Sequence, residues 1–159
     1  MFQKALIELC AAIGEAVVFV PELPKTGVAG ATRWLGPDKA LIQISLRYKT
    51  DDHLWFTFFH EAGHVVLHGK KAVFLEGNGM NDAKEDAANR FAANFLIPSG
   101  ELKTFIAASR PTFSEIQDFA SRLGIAPGIV VGRLQHEDIL PRNTGNGLKR
   151  SFRWRSGGG

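Results

Sequence analysis

The chain has a single cysteine, so Cys10 has no intramolecular partner for a disulfide. Its apolar neighbours Leu9, Ala11 and Ala12 suggest a buried thiol, which fits a reducing compartment and a cytoplasmic location. Long hydrophobic runs are missing too. Lys4, Glu8 and Glu15 interrupt the apolar stretch MFQKALIELCAAIGEAVVFV, and no small-residue cleavage site follows it. Neither a signal peptide nor a transmembrane helix is expected, and hence no membrane partner. There is no internal repeat and no long low-complexity tract. Acidic residues are absent after position 140, where Arg142, Lys149, Arg150, Arg153 and Arg155 stand unopposed. The simpler reading of that stretch is a solvated tail; the functional one is contact with nucleic acid or an acidic partner. The net charge of +3 and the pI near 9.2 are only mildly basic.

What is present suffices for one core. At 159 residues, 45% of them hydrophobic, the chain is expected to form one compact domain over residues 1–140, including helices within 114–136. A basic, partly flexible tail over 141–159 would follow, ending in Ser156-Gly157-Gly158-Gly159.

Periodicity places the elements. Residues 3–13 carry Ala5, Leu6, Leu9, Cys10, Ala12 and Ile13 at helical spacing, with Gly14 set to end the helix. Val17-Val18-Phe19-Val20 reads as a buried strand stopped by Pro21, followed by a loop containing Pro24, Gly27 and Gly30. The turn signal Gly36-Pro37-Asp38 predicts a hairpin of residues 31–35 and 40–46, whose second arm alternates like a strand with one covered face. Thr50, Asp51 and Asp52 offer capping side chains for a helix that runs without proline to Gly69. Leu54, Trp55, Phe56, Phe58, Phe59, Val65, Val66 and Leu67 surround that helix with apolar groups, the composition of a helix buried in the core. After a loop over 78–81, helices are expected at 82–96, 99–108, 114–123 and 127–136. The fold class is α+β, with helices around a small, mainly antiparallel, three-stranded sheet.

The central helix carries His60-Glu61-Ala62-Gly63-His64. Residues four apart share one helix face, so both imidazoles can reach one metal ion. Glu61 flanks that face, where its carboxylate suits a water activated by the metal better than the metal itself: the general-base position of zinc hydrolases. Burying His, Glu and His among so many aromatics costs several kcal/mol unless they are paired or ligated. A catalytic zinc keeps three protein ligands, so one more is needed. His68 stands about 12 Å from His60 along the axis, too far for one ion, and suits the helix C-terminus or support of a ligand. On the next helix Glu85 shares a face with Ala88, Asn89, Ala92 and Leu96, small or apolar residues suited to close packing, and is the better third ligand. Asp86 turns elsewhere, towards Arg90 at i+4. Asn89, one turn beyond Glu85, is placed to hydrogen-bond a ligand and hold its orientation.

His60-Glu61-Ala62-Gly63-His64-Val65-Val66-Leu67-His68, followed by Glu85-Asp86-Ala87-Ala88-Asn89-Arg90-Phe91-Ala92-Ala93-Asn94-Phe95-Leu96-Ile97-Pro98, resembles the ImmA/IrrE family of metallopeptidases. The stretches Ala31-Thr32-Arg33-Trp34-Leu35 and Ser45-Leu46-Arg47-Tyr48-Lys49-Thr50 are similar to the branch often fused behind an antitoxin-like helix-turn-helix domain. The resemblance covers about residues 5–140. It implies a zincin-like fold, zinc held by His60, His64 and Glu85, and Glu61 as the base in peptide-bond hydrolysis. Other divalent ions would also suit such a donor set. It further implies a protein substrate of a regulatory kind, such as a helix-turn-helix repressor or antitoxin of a stress-response, mobile-element or toxin-antitoxin system. Ala87 departs from the pattern, since relatives often have an acidic residue there, while Glu85 keeps the ligand position. The sequence does not identify the donor to the oxyanion; Tyr48 and His68 are candidates only by their nearness in sequence to the motif helix.

Two competing functions remain at this point. One is a DNA- or repressor-binding module with a structural or vestigial metal, supported by helix-turn-helix spacing over residues 116–134 with Ala120, Gly124 and Val130 in the small, turn and apolar places. Pro127 and Gly128 stand where a recognition helix would begin, and Ile129, Val130 and Val131 look made for packing. The other is a remnant that no longer cuts.

Overall fold

The computed structural model describes residues 2–22, 27–69, 74–75, 82–107 and 110–153. The expected loop over 78–81, Pro24, Arg155 and the Ser156–Gly159 end lie outside the described residues. The chain forms two compact units, the described parts of Met1–Arg47 with Phe56–Ala92 and of Tyr48–Trp55 with Ala93–Gly159.

In the first unit, α1 (Phe2–Ala11) buries Leu6 and Cys10, four residues apart on one face. It packs on β1 (Glu15–Val20), where the Phe2 and Phe19 rings meet edge to face at 6.5 Å. Burial, and then Glu15, push the Cys10 thiol above its ordinary pKa. The helix stops at Ala11, two residues earlier than its apolar spacing suggested. A turn then leads to Gly14, whose φ of 84° and 2.5 Å approach of an added Cβ to the Asp38 carbonyl oxygen leave room only for glycine.

β2 (Gly30–Gly36) and β3 (Lys39–Ser45) form the expected hairpin. The sheet order is β1-β3-β2-β4, with β4 (Phe74–Leu75) a two-residue addition to the three strands read from sequence. β1 runs parallel to β3, while β2 is antiparallel to both β3 and β4, so the sheet is mainly antiparallel. The alternation expected of β3 is incomplete. Ala40, Leu41, Ile42 and Ile44 are all buried, and since 40 to 42 are consecutive, both faces of the strand are covered there. Val17, Ile42 and Thr32 are in register across three strands and are all buried, which defines the covered face of the sheet.

α2 runs from Asp51 to His68 and α3 from Asp82 to Leu96. Gly69, at φ 70°, takes the left-handed position that closes α2. At its start, Asp51 Oδ1 accepts from the Asp52 N–H at 3.0 Å, and the two carboxylates lie in the first turn. The expectation that apolar groups on α2 are buried on nearly all sides needs correction. Val66 is 65% exposed and Leu67 47%. His64 faces inward, and Val66, two residues on, lies about 200° around the helix from it.

The second unit is helical. α4 (Ser99–Ile106), α5 (Phe113–Leu123) and α6 (Pro127–His136) bury Leu102, Ile116, Phe119, Ala120, Val130, Val131 and Leu134 in a common core. Thr112 and Glu115 form a reciprocal cap at the start of α5, and Gly124 ends the helix at φ 70°. Ile129, Val130 and Val131 are all committed to this core, which supports packing over groove insertion for α6. Gly128 and Gly132 let α6 approach closely: a Cβ on either would collide with the Asp51 or Asp52 carboxylate, respectively. Lys149 reaches Asp52 Oδ2 at 2.7 Å and Gln135 Oε1 at 2.8 Å, and Phe152 N–H donates to the Lys49 carbonyl at 2.6 Å. Lys149 and the Phe152 backbone thus tie this segment back to the unit, while Arg142, Arg150 and Arg153 along it are exposed. Among the described residues no helix is long and apolar enough to cross a membrane.

Candidate metal centre

α2 brings His60 and His64 together one turn apart, and their Nε2 atoms lie 3.1 Å from each other. The Glu85 carboxylate faces both, its Oε2 at 3.2 Å from His60 Nε2 and its Oε1 at 3.3 Å from His64 Nε2. These three residues form a group able to hold a metal ion. Zinc bonds of about 2.0–2.2 Å to nitrogen and oxygen in a tetrahedron put neighbouring ligand atoms about 3.3 to 3.6 Å apart. The observed separations lie at or just under the short end of that range, so the donor set fits such an ion in number and type and needs only a slight opening.

Close packing of two helices delivers Glu85. Ala88 and Ala92 on α3 are fully buried, and Gly63 of α2 meets Ala88 and the Phe91 ring. Small residues on both sides bring the axes near enough for a carboxylate to span the gap. Asp86 and Arg90 are exposed, consistent with their facing away from α2.

The far side of each imidazole is also held. Asn89 Oδ1 lies 2.9 Å from His60 Nδ1, and His68 Nδ1 lies 3.1 Å from His64 Nδ1. An amide oxygen can only accept, so His60 carries its proton on Nδ1 and offers the Nε2 lone pair. The His64–His68 contact needs one ring to donate and the other to accept; with His64 as the donor, its Nε2 lone pair is left facing Glu85 and His60. Burial above all, followed by the charges of His60, His68 and Lys84, pushes the His64 pKa down to about 4. His64 is thus neutral at physiological pH, the form that binds a metal. His68, also lowered by burial first and by Lys84 next, supports His64 and is not itself among the three clustered donors.

Glu61 is 1% exposed and lies against the sheet. Thr32 Oγ1 donates to its Oε2 at 2.5 Å, and Gly30 leaves the space beside its Oε1. Neither residue stands out in the sequence, because the contact joins positions 29 residues apart and a threonine in a strand is ordinary. Tyr48 belongs to the second unit, where its ring stacks on His53 at 4.2 Å.

A family model described as IrrE N-terminal-like domain, Peptidase_M78, matches residues 16–135, three quarters of the chain, and that span includes His60, Glu61, His64 and Glu85. No curated protein matches the chain.

Proposed function

Because the chain belongs to the Peptidase_M78 family of IrrE N-terminal-like domains and so carries a metallopeptidase-type domain, we propose that it is a zinc-dependent endopeptidase that cuts a regulatory protein. The observation that carries this reading is the convergence of His60 Nε2, His64 Nε2 and the Glu85 carboxylate within 3.1 to 3.3 Å. Two imidazoles and one carboxylate are the donor types of a catalytic zinc that keeps a position open. Zinc held there would supply Lewis acidity, polarising the scissile carbonyl and bringing the pKa of a water down towards neutrality.

The chain's own groups divide the remaining work. Asn89 and His68 fix the imidazole tautomers, so both Nε2 lone pairs point one way. In our reading Glu61 takes a proton from the attacking water as its oxygen bonds to the carbonyl carbon. The same carboxylate then hands that proton to the nitrogen as the C–N bond breaks. Burial keeps bulk water from competing for that proton.

The regulatory substrate, a helix-turn-helix repressor or antitoxin of a stress-response, mobile-element or toxin-antitoxin system, rests on the family likeness of the motifs. A cytoplasmic location belongs to the same proposal and is supported by the buried free thiol of Cys10.

The test compares wild type with Glu61→Gln, both zinc-loaded, in terminal-peptide mass spectrometry of host lysate. New protein termini generated by wild type and not by the variant are the expected result. Identical termini with both proteins would refute the assigned chemistry.

A further inference from the structure

Gly30 and Thr32 are two residues apart on β2, so they point to one side of the sheet. It is the side on which Val17 and Ile42 are buried. Glu61 rests on it. Thr32 Oγ1 lies 2.5 Å from Glu61 Oε2 and 3.2 Å from the Glu61 carbonyl oxygen. A hydroxyl has one hydrogen, and the shorter contact, to the carboxylate oxygen, is the stronger. Thr32 is 2% exposed, so solvent does not replace it at that oxygen. On the other side, a Cβ at position 30 would lie 2.6 Å from Glu61 Oε1, 2.8 Å from its Cγ and 2.7 Å from Thr57 Cγ2. Any side chain at 30 would occupy the volume that the carboxylate uses.

We propose that Thr32 is the positioning residue for Glu61, with Gly30 leaving it room, so that the direction of the carboxylate is set by β2. The inference rests on the metallopeptidase reading above, in which Glu61 accepts a proton. α2 fixes the Glu61 backbone but leaves three side-chain torsions to be settled. A proton acceptor works only when its lone pair lies within hydrogen-bond reach in one defined direction. The hydroxyl of Thr32 fixes one carboxylate oxygen and with it the plane and reach of the other. A β-branched residue is apt for this, because its χ1 is itself restricted.

The experiment uses the zinc-loaded chain and acetohydroxamic acid, which binds a Lewis-acidic ion and gives up its hydroxyl proton to a carboxylate beside it. Binding is measured by calorimetry for wild type, Thr32→Val and Thr32→Ser, with zinc content and thermal midpoint recorded for each. Thr32→Val keeps the side-chain shape without the donor, and should hold its zinc yet bind the hydroxamate about tenfold more weakly, the worth of one hydrogen bond to a charged group. Thr32→Ser restores the donor and should restore most of the affinity. Hydroxamate binding unchanged in Thr32→Val would overturn the proposal, as would a loss of zinc in that variant that accounts for the whole effect. Should Thr32→Val fail to fold, Gly30→Ala displaces the carboxylate with Thr32 intact, and wild-type hydroxamate affinity in that variant would overturn the proposal equally. Wild type that holds zinc but takes no hydroxamate also overturns it. Wild type without zinc would remove the metallopeptidase reading instead.

Discussion

Gly63 of α2 faces Ala88 of α3 so closely that a Cβ at position 63 would lie 3.3 Å from the Ala88 Cα and 3.1 Å from Phe91 Cδ1. That contact places Glu85 opposite two histidines. The glycine within the His-Glu-x-Gly-His run thus has a packing reason that the spacing of the histidines does not supply.

Gly63→Val should push α3 outward and withdraw Glu85 from His60 and His64. Zinc affinity is expected to fall at least tenfold while helical circular dichroism is retained, since backbone approach and not helix propensity is the limiting factor. Competition with a chromophoric chelator measures this, and undiminished affinity would show that the carboxylate reaches the histidines without that approach.

Asn89→Ala and His68→Ala each remove the group that holds one imidazole from behind. Losses of about 10- to 100-fold in zinc affinity are expected for such supporting partners, with stoichiometry unchanged at saturation. Zinc titration of the two variants separates them from true ligands, whose removal should abolish binding.

Acid should weaken both metal binding and the metal-free fold through His64. Its folded pKa of about 4 lies below the ordinary 6.5, so the unfolded chain binds the proton first. Stability from this group is therefore full above pH 6.5 and is lost as pH falls through about 4, by up to ~3 kcal/mol. Urea unfolding of metal-free wild type and His64→Gln across that window should show the two curves converging towards low pH. Parallel curves would mean that His64 titrates normally.

Lys149→Met tests the built-in C-terminal segment. Lys149 and Asp52 side chains are 10% and 8% exposed and 2.7 Å apart, so removing the cation leaves a buried carboxylate with only His53, at 4.0 Å, beside it. A loss of about 3 kcal/mol in unfolding free energy is expected. A change within experimental error would place Lys149 in solvent, as the charge pattern alone suggested.

Much of the site was legible because helical spacing is local information. His60, His64 and Glu85 come together as helical spacing suggested, Asn89 reaches His60, and α3 matches its predicted bounds at Asp82 and Leu96. What sequence could not supply is long-range. Nothing in Val17–Val20 announces a parallel partner, yet β1 pairs with β3 across the whole hairpin segment. Thr32 meets Glu61 only because β2 lies beneath α2, and Lys149 meets Asp52 only after the chain returns to the start of that helix. The outward-facing Val66 shows the opposite limit: composition marks a helix as apolar but does not say which apolar residues are covered.

The central claim is that His60, His64 and Glu85 together hold one zinc ion. Elemental analysis of purified wild type beside His60→Ala and Glu85→Ala, after mild chelation, tests it most directly. About one zinc per wild-type chain, lost in both variants, is the predicted result. A wild-type chain without metal, or a Glu85→Ala chain that keeps it in full, would contradict the account.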